Sequence, residues 1–164
     1  MGLALASGAP HPRLRPYVER YVGYEEDAGS LLRRREMPGA HVVLVVGWGD
    51  PLDVVDPRGT GAYGVTSFTA GLYDSYVVTS TAGVGRGVQL MLEPPVAGRI
   101  LGVPAGELTN RAVALDDLPG GWMRGLRERL AEAPDWRSRF AVLDQAIGAR
   151  LDASTAPDPR VEWA

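Results

Sequence analysis

Two histidines, His11 and His41, are the only imidazoles in a chain of 164 residues that contains no cysteine and no lysine. The lack of thiols excludes disulfides, thiolate nucleophiles and zinc–thiolate sites together, and the lack of lysine excludes Schiff-base chemistry. A metal site of several histidines and a carboxylate needs more donors than this pair supplies. His11 lies in a proline-rich segment, and His41 opens a strand after a turn, where it reads as an edge or surface residue. Serine hydrolysis has no better support. There is no G-x-S-x-G elbow, and Ser67 and Ser80 fall in strand-like segments with no histidine close in sequence. GVGRG lacks the Gly-Lys-Ser/Thr ending of a phosphate loop and runs into a strand, so it reads as a hairpin turn. Adjacent carboxylates occur at Glu25–Glu26 and at Asp116–Asp117. The second pair precedes a helical pattern, where acids complement the positive end of the helix dipole. The residues therefore predict no catalytic group, no metal and no cofactor.

Binding is better supported than catalysis. Trp48, Tyr63, Phe68, Tyr73 and Tyr76 come from neighbouring strand-like segments. Aromatic rings with polar tips suit a pocket that grips a mostly apolar ligand and orients it with a few hydrogen bonds. Arg34 and Glu36 share one face of a strand; if that face points inward, each needs the other or a ligand as partner. The alternative is that Phe68 and Trp48 are core and the tyrosines surface. Nucleic acid is not an expected partner of this chain alone. The net charge is −3, and the one basic cluster, Arg33, Arg34 and Arg35, is split between two faces by strand alternation.

Hydrophobic residues make up 45% and charged residues 23%, the balance of an ordinary folded domain. No apolar run approaches the roughly 20 residues of a membrane-spanning helix. The N-terminal MGLALASGAPHPRLRP has no basic region ahead of its apolar stretch and does not read as a secretory signal, so a cytoplasmic location is expected.

The elements that must position these residues are mostly strands. Residues 1–16, with Pro10, Pro12 and Pro16, read as an irregular arm. The segment from Tyr17 to Tyr24 is β-branched and aromatic and reads as the first strand, with a short helix as the alternative, and Asp27–Ser30 is a turn. LLRRREM, HVVLVVGW, LDVVD, YGVTSFTAGL, SYVVTS, GRGVQLMLEP and NRAVAL read as strands, with VAGRILGV a short helix and PAGEL a turn before the last. HVVLVVGW is apolar on both faces and should be covered on both. From Asp116 the period becomes helical: Trp122, Met123, Leu126 and Leu130, then, after Pro134 and the N-cap candidate Asp135, Trp136, Phe140, Leu143, Ile147 and Leu151. A short connection makes these an antiparallel pair. The second stripe either packs on the β-body or serves as a dimer interface. STAPDPRVEWA reads as a linker followed by a helix start at which the chain is cut.

HPRLRPYVERYVGYEE, RRREMPGAHVVLVVGWGDPL, SFTAGLYDSYVVTSTAG, GVQLMLEPPVAGRILGVPAGELTNRAVALDDL and RLAEAPDWRSRFAVLD together resemble the N-terminal domain of actinobacterial AraC-family regulators. The resemblance runs from about His11 to Ala164, with GVPAGELTNR and APDWRSRF its most specific pieces. It implies a cupin-like β-barrel with helices packed on it, a small-molecule effector, and dimerisation through helices such as the Trp136–Leu151 stripe. It also implies that DPRVEWA leads towards helix-turn-helix motifs beyond Ala164, so DNA would be bound only by that further portion. No ligand residue is carried over from the family.

The expectation is thus an α+β fold: an arm at 1–16, a cupin-like antiparallel β-barrel sensor at 17–115, a helical hairpin at 116–153 and a linker at 154–164. Its function would be effector binding and homodimerisation in a transcription regulator. A ligand-free dimerisation scaffold is the rival reading, and a cupin-type enzyme the third.

Overall fold

The computed structural model describes residues 2–154, so the linker and helix start around DPRVEWA lie outside the described residues. Among these residues nine strands come first, followed by one α-helix, a tenth strand and two further α-helices. The strands are β1 (Gly2–Gly8), β2 (Val18–Asp27), β3 (Leu32–Glu36), β4 (Val42–Gly47), β5 (Leu52–Val55), β6 (Gly61–Val65), β7 (Phe68–Ala70), β8 (Val77–Thr81), β9 (Val84–Leu92) and β10 (Ala112–Ala114). The helices are α1 (Pro94–Leu101), α2 (Trp122–Glu132) and α3 (Trp136–Ala153). No helix among the described residues is long and apolar enough to cross a membrane.

Two antiparallel sheets form, one of six strands in the order β1-β2-β9-β4-β7-β10 and one of four in the order β3-β8-β5-β6. They share no ladder, so the expected closed barrel is not formed. One reason lies in YGVTSFTAGL, expected as a single strand. It bends at Thr66–Ser67, sending β6 into the four-stranded sheet and β7 into the six-stranded one. The bend is fixed at Gly47, whose N–H donates to Ser67 Oγ at 2.9 Å while that hydroxyl donates to the Gly47 carbonyl at 3.1 Å. A Cβ at Gly47 would strike the Thr66 carbonyl oxygen.

The N-terminal segment also departs from expectation. Gly2–Gly8 is a strand in register with β2 from Gly2↔Asp27 to Gly8↔Tyr21, not an irregular arm. The prolines fall after it, where Pro12–Leu14 makes a 3-10 turn started by His11.

Alternation sorts every side chain of the six-stranded sheet to one of two layers. Leu44 and Val46 of β4, with Val88, Leu90 and Leu92 of β9, face the helices and are fully buried. Ile100 and Leu101 of α1, Leu130 of α2, and Leu143 and Ile147 of α3 close over them. Fully burying such a side chain contributes about 1.5–3 kcal/mol, so the helix-covered face holds most of the hydrophobic stabilisation. A second, smaller cluster lies between the sheets: Val45, Val54, Val65, Phe68 and Val77. HVVLVVGW is therefore covered on both faces, as its composition requires.

Asp135 caps α3, accepting from the Ser138 N–H at 2.7 Å. Asp116 and Asp117 do not cap α2, contrary to expectation. They lie in a 3-10 turn at Leu115–Asp117, and the residue before α2 is Gly121, with φ +63° and no side-chain cap.

Candidate functional site

Between the sheets, bordered by Val45, Val54, Phe68 and Val77 of the smaller cluster, is a cavity of about 440 Å³. It exists because the inward side chains are short. β2 contributes Val22, β4 contributes Val43, β7 contributes Ala70, and β8 contributes Thr79 and Thr81. Face-to-face sheets stand about 10 Å apart, a gap that valine, alanine and threonine do not fill. The mouth lies where β1 and β2 approach β3, and Leu3, Leu5 and Met37 stand exposed around it.

Strand parity explains which polar residues reach the cavity. On β2, Tyr24 and Glu26 follow Val22 at intervals of two. On β3, Arg34 and Glu36 point the same way, while Arg33 and Arg35 belong to the opposite face. Arg34 then spans the sheets: its guanidinium holds both carboxylate oxygens of Glu26, with Nη1 to Oε2 at 2.8 Å. That pairing holds the Glu26 carboxyl below its ordinary range, mainly through the hydrogen bond. Glu36 accepts from the Thr79 hydroxyl at 3.0 Å, and among the described residues it has no salt-bridge partner within 4.0 Å.

Two phenols face the cavity. Burial, reinforced by the charge of Glu26, pushes Tyr24 up to about 12. Burial, with Asp56 adding and Arg58 opposing, does the same for Tyr73. Both are therefore neutral donors at physiological pH. Among the described residues neither phenol has a protein hydrogen-bond partner, and the Gln89 amide meets only the Met91 sulfur, at 3.3 Å. An apolar cavity with such free polar tips can hold a small organic molecule and orient it.

Of the seven candidates, Arg34, Glu36, Phe68 and Tyr73 line this cavity. The other three do not. Trp48 carries the parity of Leu44 and Val46, so it emerges on the helix side, where its ring lies 6.2 Å from that of Trp136 and beneath the Arg139 guanidinium. Tyr63 is 66% exposed on β6. Tyr76 carries the Arg35 guanidinium 4.4 Å from its ring centroid. Missed by sequence reasoning were Tyr24, Glu26 and Gln89. Counting by twos along β2 from Val22 offers a signal for the first two; Gln89 lies on β9, where no local feature says which of its two faces meets the cavity.

The stripe Trp136, Phe140, Leu143, Ile147 and Leu151, expected as a dimer seam or as packing, packs within the protomer, with Trp136 and Phe140 left half-exposed. Leu143, Ile147 and Leu151 are buried in the helix-side core. Phe140 stacks on Tyr21 at 5.7 Å and covers Gly8 of β1, and Trp136 covers Gly23 of β2.

Ser67, His11, His41 and Arg58 each have protein partners. The Ser67 hydroxyl is engaged by Gly47, and His11 Nδ1 accepts from the Arg13 N–H at 3.2 Å. His41 Nε2 lies 3.3 Å from Glu93 and 3.4 Å from Glu19. Among the described residues, no group of three or more histidine or acidic side chains is set to hold a metal ion. Arg58 ties buried Asp56 to Asp74 and Asn110, joining three loops at one end of the sandwich.

These features define an α+β domain whose two antiparallel sheets enclose a ligand-sized cavity, with helices closing the outer face of the larger sheet. The chain belongs to the family described as Domain of unknown function (DUF6597), whose model matches residues 7–114, from the end of β1 through β10. No curated protein and no solved structure matches it.

Proposed function

We propose that this domain is a small-molecule-sensing regulatory module, of the kind the AraC-type resemblance implies, and that the effector occupies the inter-sheet cavity. The observation that carries the reading is a space of about 440 Å³ lined by valine, alanine and threonine side chains and by two phenols with no protein hydrogen-bond partner among the described residues. Its size lies within the usual range of small-molecule sites. In this reading the inter-sheet space is the equivalent of the cupin-like barrel interior, and the chain binds without catalysis.

β2 supports a route for the signal. Its Val22, Tyr24 and Glu26 face the cavity, while Tyr21 and Gly23 on the opposite face touch Phe140 and Trp136 of α3. A ligand that shifts β1 and β2 therefore acts directly on the helix that leads to the C-terminus, where DNA-binding motifs would be repositioned. A homodimer remains part of the proposal, with Trp136 and Phe140 of the α3 stripe half-exposed and Leu143, Ile147 and Leu151 buried within the protomer.

Thermal-shift measurement against a broad metabolite panel, on the wild type and on Ala70→Phe, tests the ligand reading. A true effector at about a hundredfold excess over its Kd stabilises by about 2.7 kcal/mol. It should do so in the wild type and fail in the variant whose cavity the phenyl ring fills. Compounds that stabilise both proteins alike, or none that stabilises the wild type, would overturn it.

A further inference from the structure

The charge inventory of the cavity points to the class of ligand, and this step rests on the ligand-binding reading above. Glu26 and Glu36 line the cavity against a single arginine, Arg34. The charge of that arginine is already offset by Glu26, whose two carboxylate oxygens it holds. Nor does His41 offer an uncompensated cation, with Glu93 and Glu19 both within 3.4 Å of its Nε2. An anionic ligand would thus lose its hydration and meet carboxylates. Glu36, by contrast, is a carboxylate with one hydroxyl partner and no arginine within salt-bridge distance among the described residues. Tyr24, Tyr73 and Phe68 add ring faces, which attract a cation positioned over them. The rest of the lining is mostly aliphatic, with Ser75, Thr79, Thr81 and Gln89 as its neutral polar members.

We infer that the cavity selects an apolar organic monocation, an amine on a hydrophobic body, with its ammonium group at Glu36 and the body between the sheets. A neutral analogue of the same shape binds through the apolar lining alone. A carboxylate analogue is rejected.

Isothermal titration calorimetry of the full chain with phenylbutylamine, phenylbutanol and phenylbutyrate separates these contributions, because the three probes share one body and differ in head-group charge. The amine should bind tightest and the carboxylate weakest. Glu36→Gln should weaken the amine about threefold to fivefold, the range expected for a partly exposed ion pair, and leave the alcohol unchanged. Ala70→Phe should abolish all binding. Equal affinities for amine and alcohol would remove the charge preference while leaving the cavity as a binding site. A carboxylate that binds as well as the amine, or amine binding indifferent to Glu36→Gln, would likewise overturn the inference. Failure of all three probes overturns it too, and only failure of the metabolite panel as well removes the ligand-binding reading beneath it.

Discussion

The Arg34 guanidinium on β3 clasps both carboxylate oxygens of Glu26 on β2, so one ion pair ties the two sheets together at the mouth of the cavity. Glu26 is well covered, with 14% of its side chain exposed, whereas 43% of the Arg34 side chain is open to water. Solvent screening on the arginine side keeps the net contribution to about 1 kcal/mol or less.

Because the pair lowers the Glu26 carboxyl, its stabilisation is present above the carboxyl's unfolded value, about 4.3, and is lost as pH falls through the lower folded value. Arg34→Leu should therefore be less stable than the wild type at pH 7. The gap should close in acid below the folded value, where Glu26 is protonated in both proteins. Urea denaturation at the two pH values measures it, and a pH-independent gap would show that the pair contributes no electrostatic stabilisation.

Helix α3 sits on β2 only because residue 23 has no side chain. A Cβ at Gly23 would enter the six-membered ring of Trp136. Gly23→Ala should cost about 1–3 kcal/mol through overpacking. In a Trp136→Ala background the same change should cost little, since the ring it strikes is gone, and a double-mutant cycle reads that coupling. Additive losses would place Trp136 elsewhere.

Alkaline titration should single out the buried phenols. Tyr24 and Tyr73 are each pushed up to about 12, and Tyr21 is raised further by burial and by donating to Asp144 Oδ1 at 2.9 Å. A raised phenol stabilises the fold fully below its unfolded value near 10, and that contribution is lost as pH climbs towards the folded value. Tyrosinate absorbance should therefore show a late step that coincides with loss of stability above pH 10. Tyr24→Phe and Tyr73→Phe should each reduce its amplitude. A single transition centred near 10 in the native protein would mean these phenols are solvated.

Local pattern made much of the molecule legible. The switch from period two to period 3.6 after Asp116, the Asp135 cap and the shared face of Arg34 and Glu36 all follow from residue spacing. Spacing fixes which residues share a face because backbone geometry repeats within a segment. It does not fix what covers that face. Trp48 shows the difference: its parity with Leu44 and Val46 was readable, but only the fold shows that this side meets α3 and the other side meets the cavity. β1 shows it again, since GLALASG becomes a strand by pairing with residues 21–27 across an intervening proline-rich turn. Residue order and spacing carry most of the elements and their faces, β1 and the break between β6 and β7 excepted, and they carry the scarcity of imidazole and thiol donors. That two sheets stay open around a space, that Glu26 meets Arg34, and that Leu143, Ile147 and Leu151 lie in the core of their own protomer came only from the fold, because these depend on contacts between segments distant along the chain.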